Sequence, residues 1–269
     1  AEADGGDSFG VDESYVYFAG SWGRVNVGEE DAAAYLLQVA APSADDNIDG
    51  VRQTINTFPF LSVDYANDLA RDGDKLTYLS PVFSGFQFGA SYTPHVTGTF
   101  FEEGLTTDYY ADAAGAGPNR PDGPNTGVSE IAARYEGMVG TVGLIAGAGY
   151  QATTENVNEW NVGADLDIGA FGVGAVYSNA DAEDLDTDLD TFVLGADYTT
   201  GPFKLGASYL KTDGDVLAVD TEINRYTAGV IYTYGPGMTF RGSVAYGEVE
   251  AAGVDADATT VTMGTQINF

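Results

Sequence analysis

Apolar side chains in this chain recur at every second position. Met238, Phe240, Gly242, Val244 and Tyr246 form one apolar or small series, interleaved by Thr239, Arg241, Ser243, Ala245 and Gly247. Tyr226, Ala228, Val230, Tyr232 and Tyr234 alternate with Arg225, Thr227, Gly229 and Thr233 in the same way. So do Phe203, Leu205, Ala207 and Tyr209 with Lys204, Gly206 and Ser208. Successive side chains of a strand point to opposite faces, so this period predicts strands with one apolar and one polar side.

A soluble β-sandwich also alternates, and three details separate this chain from one. Aromatic residues bracket the apolar runs: Tyr92, Tyr150, Trp160, Phe171, Tyr177, Phe192, Tyr198, Phe203 and Tyr209. Bilayer interfaces select such girdles at both edges of an apolar band. The polar series carries charge within long strands, at Glu130, Arg134, Asp165, Asp197, Arg225 and Arg241, which a sandwich core rejects and a water-filled lumen accepts. Tight turns expected at Gly137, Gly169-Ala170, Gly201-Pro202 and Gly235-Pro236-Gly237 alternate with acidic stretches at 179–188, 212–222 and 250–257, taken as external loops. Short turns on one side and long loops on the other belong to a membrane barrel.

Composition fits once it is divided between two surfaces. With 41 acidic and 10 basic side chains the formal charge is −31, which argues against a nucleic-acid partner, and 44% of residues are hydrophobic. No run approaches the roughly 18 apolar residues of a spanning helix. Alternation shows lipid the apolar half and leaves the charge to loops and lumen.

Thirteen strands can be counted, near 12–21, 24–28, 74–80, 86–93, 127–136, 139–151, 158–168, 171–178, 189–200, 203–211, 223–234, 238–249 and 258–269. Bacterial single-chain barrels have even strand numbers, so an N-terminal piece is expected to be absent from this sequence.

The chain resembles the general diffusion porins of Gram-negative outer membranes, in particular the alphaproteobacterial type. The likeness is carried by Asp12-Glu13-Ser14-Tyr15-Val16-Tyr17 and by Gly20-Ser21-Trp22-Gly23-Arg24-Val25-Asn26-Val27-Gly28. It continues in Asp74-Lys75-Leu76-Thr77-Tyr78-Leu79-Ser80-Pro81, in Gly85-Phe86-Gln87-Phe88-Gly89-Ala90-Ser91-Tyr92, and in the terminal Gln266-Ile267-Asn268-Phe269. In that family the final Phe, here Phe269, is an assembly signal, the barrel has sixteen strands, and the third external loop folds into the lumen after strand five. The resemblance therefore implies an all-β fold, a transmembrane antiparallel β-barrel with about thirteen of sixteen strands present. About three strands, on the order of 40 residues, would be missing at the N-terminus. It implies too that residues 1–269 belong to one barrel domain, with residues 29–73 as the constriction loop inside it. The resemblance also implies an integral outer-membrane protein, a homotrimer surrounded by lipid and lipopolysaccharide, that passes ions and small hydrophilic solutes passively. The competing reading is a structural barrel or adhesin with acidic surface loops.

The long connection has its own chemistry. Ala32 to Ala41 is rich in helix formers and lacks alternation, so a short helix is expected there. Its acids, Glu29, Glu30, Asp31, Asp45, Asp46, Asp49, Asp64 and Asp68, would face basic residues on the polar side of the wall: Arg24, Lys75, Arg134, Arg225 and Arg241. Facing clusters of charge at a constriction set ion preference, and acids outnumber bases, so cations are expected to be favoured. Each Arg could equally neutralise one loop acid and hold the loop in place. Asp45, Asn47, Asp49 and Gly50 match the opening of a calcium loop, but its twelfth position is Asn56 where a bidentate Glu is required; the three side chains remain a candidate structural calcium site, and no other cofactor is expected. The external acids, Asp181, Glu183, Asp184, Asp186, Asp188, Asp213, Asp215 and Asp220, read as solvated or as sharing calcium with lipopolysaccharide phosphates. With one histidine, His95, and no cysteine, nothing resembles a nucleophile and base, and no enzyme is expected.

Overall fold

The computed structural model describes residues 13–55, 65–71, 73–96, 126–154 and 156–268. Thirteen strands follow one another: β1 (Ser14–Gly20), β2 (Gly23–Glu29), β3 (Asp74–Leu79), β4 (Phe86–Val96), β5 (Thr126–Val139), β6 (Val142–Thr153), β7 (Val157–Ile168), β8 (Phe171–Ala182), β9 (Thr187–Thr200), β10 (Phe203–Val216), β11 (Val219–Gly235), β12 (Met238–Ala251) and β13 (Val254–Ile267). Each pairs antiparallel with the next, in one sheet running from β1 to β13. The strand count matches the alternation in the sequence.

One face is apolar and ringed by aromatics. On β8 to β12 it carries two aromatic residues at equal separation: Phe171 and Tyr177, Phe192 and Tyr198, Phe203 and Tyr209, Tyr226 and Tyr232, Phe240 and Tyr246. Register joins them into two rows. Tyr177 lies opposite Phe192, and Tyr226 lies between Tyr209 and Tyr246. In the other row Phe171 lies opposite Tyr198, and Tyr232 lies between Phe203 and Phe240. Facing rings pack tilted against each other, with centroids 4.6 Å apart for Phe171 and Tyr198 and 4.8 Å for Tyr209 and Tyr226. The rows are about 20 Å apart along the strand, and Val173, Leu194, Leu205, Val230 and Val244 lie exposed between them.

Several sequence expectations need correction. The turn after β5 is at 140–141; Gly140 takes φ +68°, while Gly137 stays in the strand opposite Leu144. The stretches 179–188, 212–222 and 250–257 are mostly strand. β8 runs to Ala182, β10 to Val216, β12 to Ala251, and β11 and β13 begin at Val219 and Val254. The connections at 217–218 and 252–253 are two-residue turns, with φ of 50° and 60° at Leu217 and Ala218 and of 53° and 74° at Ala252 and Gly253. Positive φ at both central residues is the hairpin turn whose twist matches paired strands. Acidic composition suggested loops, but alternation continues within each strand with its faces exchanged: Val216 on β10 and Val219 and Ile223 on β11 take inner positions, and Asp213, Asp215 and Asp220 take the outer ones, so the ladder continues too. The helix expected over Ala32 to Ala41 is a single turn, α1 (Ala33–Leu36), followed by extended chain and a second turn, α2 (Asp46–Asp49). Asp12, Asp64 and Phe269 lie outside the described residues.

The second face is covered by the long β2–β3 connection. Ala41 and Tyr65 pack on Val176, Val193, Leu210, Ile223 and Ala245, and Ala32, Leu69 and Ala70 pack on Val128, Val157 and Ala182. These wall residues are the apolar members of an otherwise polar series, and they lie where the loop does.

Candidate functional site

Residues 32–45 form a strap that crosses the inner wall from β4 to β12. Where it crosses β4 and β6 to β11, the wall residue beneath it is glycine. A Cβ on Gly89 (β4) would lie 3.0 Å from Ala33 and Leu37 side-chain carbons. On Gly147 (β6) it would lie 2.8 Å from Val39 Cγ2, and on Gly163 (β7) 3.1 Å from the Val39 carbonyl oxygen. On Gly174 (β8) it would lie 2.6 Å from Pro42 Cδ. At Gly195 (β9) it would overlap the Pro42 carbonyl, and at Gly206 (β10) the Ala44 amide nitrogen. Gly229 (β11) completes the series, 3.1 Å from Ala44 Cβ. Glycine within a strand marks a close backbone approach, and here the approaching backbone is the chain's own strap.

The register of these glycines gives the strap's direction. Gly89 pairs with Ala132 and Ala132 with Gly149; Gly147 pairs with Gly163, Gly174 with Gly195, and Gly206 with Gly229. Each level is offset from the previous one by two residues toward the turns at 140–141, 169–170 and 201–202, because Gly163 lies opposite Val176 and Gly195 opposite Ser208. An offset of two residues per two strands is about 6.6 Å along for about 9.6 Å across, an angle of about 35°. Barrel strands tilt by about 35–45° from the axis, so the strap runs almost perpendicular to that axis. It is also taut. Val39 to Ala44 covers at most about 18 Å of chain, yet passes four strand spacings, at least about 19 Å along the wall. A segment on the inside of the curve, following the chord, meets that requirement.

Polar contacts fix the strap at both ends. The amide of Ala33 donates to Ser91 Oγ at 2.7 Å, and that of Ala34 to Glu130 Oε2 at 3.0 Å. The next two-residue step beyond Gly229 brings Arg241, opposite Ile231 on β12, and Arg241 pairs with Asp45. Asp49 lies 3.7 Å from Arg225, with the side chains 2% and 1% exposed. Burial raises the proton affinity of the Asp49 carboxyl, and Arg225 opposes that shift. Gln38 joins the two arms of the loop, donating to the Tyr65 carbonyl at 2.7 Å and accepting from the Asn67 amide at 2.8 Å. The Tyr65 hydroxyl, pushed by burial to hold its proton, accepts from the Ala41 amide at 3.3 Å.

All five wall cations expected from the sequence touch the loop. Arg24 lies 3.4 Å from Glu30 and 4.5 Å from the centre of the Tyr17 ring. Lys75 donates to the carbonyl oxygens of Glu30 and Arg71, joining the two feet of the loop. Arg134 donates to the Gln38 carbonyl at 3.3 Å, and Arg225 and Arg241 meet Asp49 and Asp45. The acids are more dispersed. The Glu30 carboxyl is buried, which raises its proton affinity despite Arg24, and it accepts from Asn26. Asp68 pairs with Arg52, whose guanidinium lies over the Tyr35 ring at 4.8 Å. Asp46 is exposed and accepts from Ser43 Oγ at 3.1 Å. Asp31 is half-buried just before the strap. Glu29 ends β2 on the other face, in register with Ser14 and Asp74, away from the strap. Asp45 accepts from Asn47 at its backbone and side-chain nitrogens, at 3.1 and 2.8 Å, so the carboxylates of Asp45 and Asp49 turn to different arginines. Among the described residues no group of three or more His, Asp or Glu side chains is gathered as a metal ion would require.

Between the glycine track and the turns at 169–170 and 201–202 the same face carries Asp165, opposite Gly174, with Asp167 and Asp197; Lys204 lies 3.5 Å from Asp197. The glycine track and Arg52 were not singled out from sequence. The signal for the track was present, as glycine at inward positions of successive strands, but such glycines equally suit a wall facing water.

A family model described as Gram-negative porin matches residues 1–252. Among curated proteins none matches. Solved structures that are similar in fold include a porin refined at 1.8 Å resolution, 19% identical, covering 93% of this chain and 80% of that one with a TM-score of 0.58. An anion-selective porin from Comamonas acidovorans is 17% identical, covering 96% and 78% with a TM-score of 0.61. The trimer form of in-vitro folded OmpT, an outer membrane protein of Vibrio cholerae, is 15% identical, covering 98% and 83% with a TM-score of 0.61.

Proposed function

Because this chain belongs to the Gram-negative porin family, whose members are integral outer-membrane channels, we propose that it passes ions and small hydrophilic solutes passively, prefers cations, and has no catalytic role. The loop at 29–73 is its constriction. The carrying observation is how the wall's cations are used. Arg24, Lys75, Arg134, Arg225 and Arg241 all turn onto oxygen atoms of the loop, which leaves Asp165, Asp167 and Asp197 beside the passage with Lys204 as their neighbouring cation. Carboxylates along a narrow aqueous path attract cations and repel anions. Reversal potentials across planar bilayers in a salt gradient test the preference: a potential of cation sign supports it, and clear anion selectivity overturns it.

The working unit in this reading is a homotrimer, held in outer-membrane lipid and lipopolysaccharide. Chemical cross-linking of the detergent-extracted protein tests the assembly, with a trimer as the limiting product and a persistent monomer as the contrary result.

A further inference from the structure

We infer that the glycine track Gly147, Gly163, Gly174, Gly195, Gly206 and Gly229 sets the size of solute the channel admits, by letting the strap lie flush against the wall. This rests on the channel reading above and names the residues that determine its aperture. At Gly195 and Gly206 the three nearest atoms to an added Cβ all belong to the strap backbone, at Pro42 and at Ser43–Ala44. A side chain there has no flexible neighbour to displace, so the strap itself must move. It cannot slide along the wall, because Ser91 and Glu130 hold one end and Arg241 and Arg225 the other. The wall is paired on both sides of each of these strands, so the direction left to the strap is away from the wall, into the lumen. The lost cross-section is proportional to the displacement along the whole taut span, because a cord fixed at both ends carries its neighbours with it. The stagger matters as much as the residue type. The glycines follow a two-residue step that keeps the groove perpendicular to the axis, so the strap narrows the channel at one level.

The test compares Gly195→Ala and Gly206→Ala with Gly264→Ala in the full-length protein reconstituted into liposomes and planar bilayers. Gly264 faces the same side, opposite Arg241, and a Cβ there meets nothing within 4 Å. The track variants are expected to lower single-channel conductance and move the cut-off in a graded sugar series to a smaller sugar, with Gly264→Ala unchanged. Should either track variant fail to assemble, Gly147→Ala carries the test, since its tightest contact is one methyl of Val39 at 2.8 Å. Gly147→Ala should narrow the channel, and Gly147→Ala with Val39→Ala should restore it. Track variants with wild-type conductance and cut-off overturn the inference, and so does a rise in conductance, which would mean that the strap lets go of the wall. A wild-type protein that admits no sugar overturns the channel reading itself, and this inference with it.

Discussion

The carboxylate of Asp49 lies 3.7 Å from the guanidinium of Arg225, and neither side chain reaches solvent. The two halves of this pair respond differently to loss of the other. A guanidinium cannot give up its proton, whereas a buried carboxylate can take one up.

Replacing Arg225 by Leu is expected to destabilise the protein at neutral pH by about 3–5 kcal/mol, the usual effect of leaving one buried charge alone. Burial already raises the Asp49 carboxyl above its ordinary range, and Arg225 opposes this most, ahead of hydrogen bonds from Thr227 and Ser208. A carboxyl with raised proton affinity in the folded state contributes stability that is present at acid pH and lost as pH rises through the raised value. The Arg225→Leu deficit should therefore shrink on acidification, while that of Asp49→Asn should not. Unfolding in detergent at a series of pH values, for the two variants and the parent, measures the difference.

Lys75 ties the carbonyl oxygens of Glu30 and Arg71 together at the base of the loop. Lys75→Met keeps the aliphatic stem and leaves buried acceptors unmet, at a cost of about 1–3 kcal/mol for each. Hydrogen exchange should quicken over 30–37 and 65–71 and stay unchanged in β10 to β12; uniform protection would count against this role.

Neutralising Asp165, Asp167 and Asp197 together as Asn should lower the cation-to-anion permeability ratio, with conductance changed less than selectivity. Neutralising Glu29 should do neither, since it lies on the other face. Reversal potentials of the two variants in the same gradient distinguish them.

The hairpin ends beyond the aromatic row of Tyr177, Phe192, Tyr209, Tyr226 and Tyr246 bring like charges into register: Asp188 lies opposite Asp181 and Asp215, Asp213 opposite Asp190 and Glu222, and Glu250 opposite Glu222 and Asp255. Directly opposed like charges each cost about 0.2–1 kcal/mol, with Lys211 offsetting part of this at 3.0 Å from Glu222. Exposed charges are screened by salt. Melting temperature should rise with sodium chloride, and Asp188→Asn with Asp213→Asn should flatten the slope.

Much of this molecule was legible in its sequence. The two-residue period identified every strand of the sheet, because a strand with lipid on one side and water on the other must alternate. The same period assigned Arg24, Lys75, Arg134, Arg225 and Arg241 to the inner face, and each touches the loop. Composition misled where it was read without the period: the acids at 212–222 suggested a loop, but residues still alternate there, with Val216, Val219 and Ile223 facing inward and Asp213, Asp215 and Asp220 outward. Ala32 to Ala41 misled in the other direction. Its helical propensity amounts to a few tenths of a kcal/mol per residue, too little against the packing gained by stretching Leu37 to Ala44 across the wall.

The sequence by itself determined which residues face lipid and which face inward, since that follows from backbone geometry within each strand. The tertiary structure alone decided which inward residues meet. The partnership of Asp45 with Arg241, or of Pro42 with Gly195, depends on the offset between strands and on the path of a loop across them. Neither quantity is written in the local period. A glycine facing water and a glycine facing a strap look the same in sequence, and only the strap's position on the wall separates them.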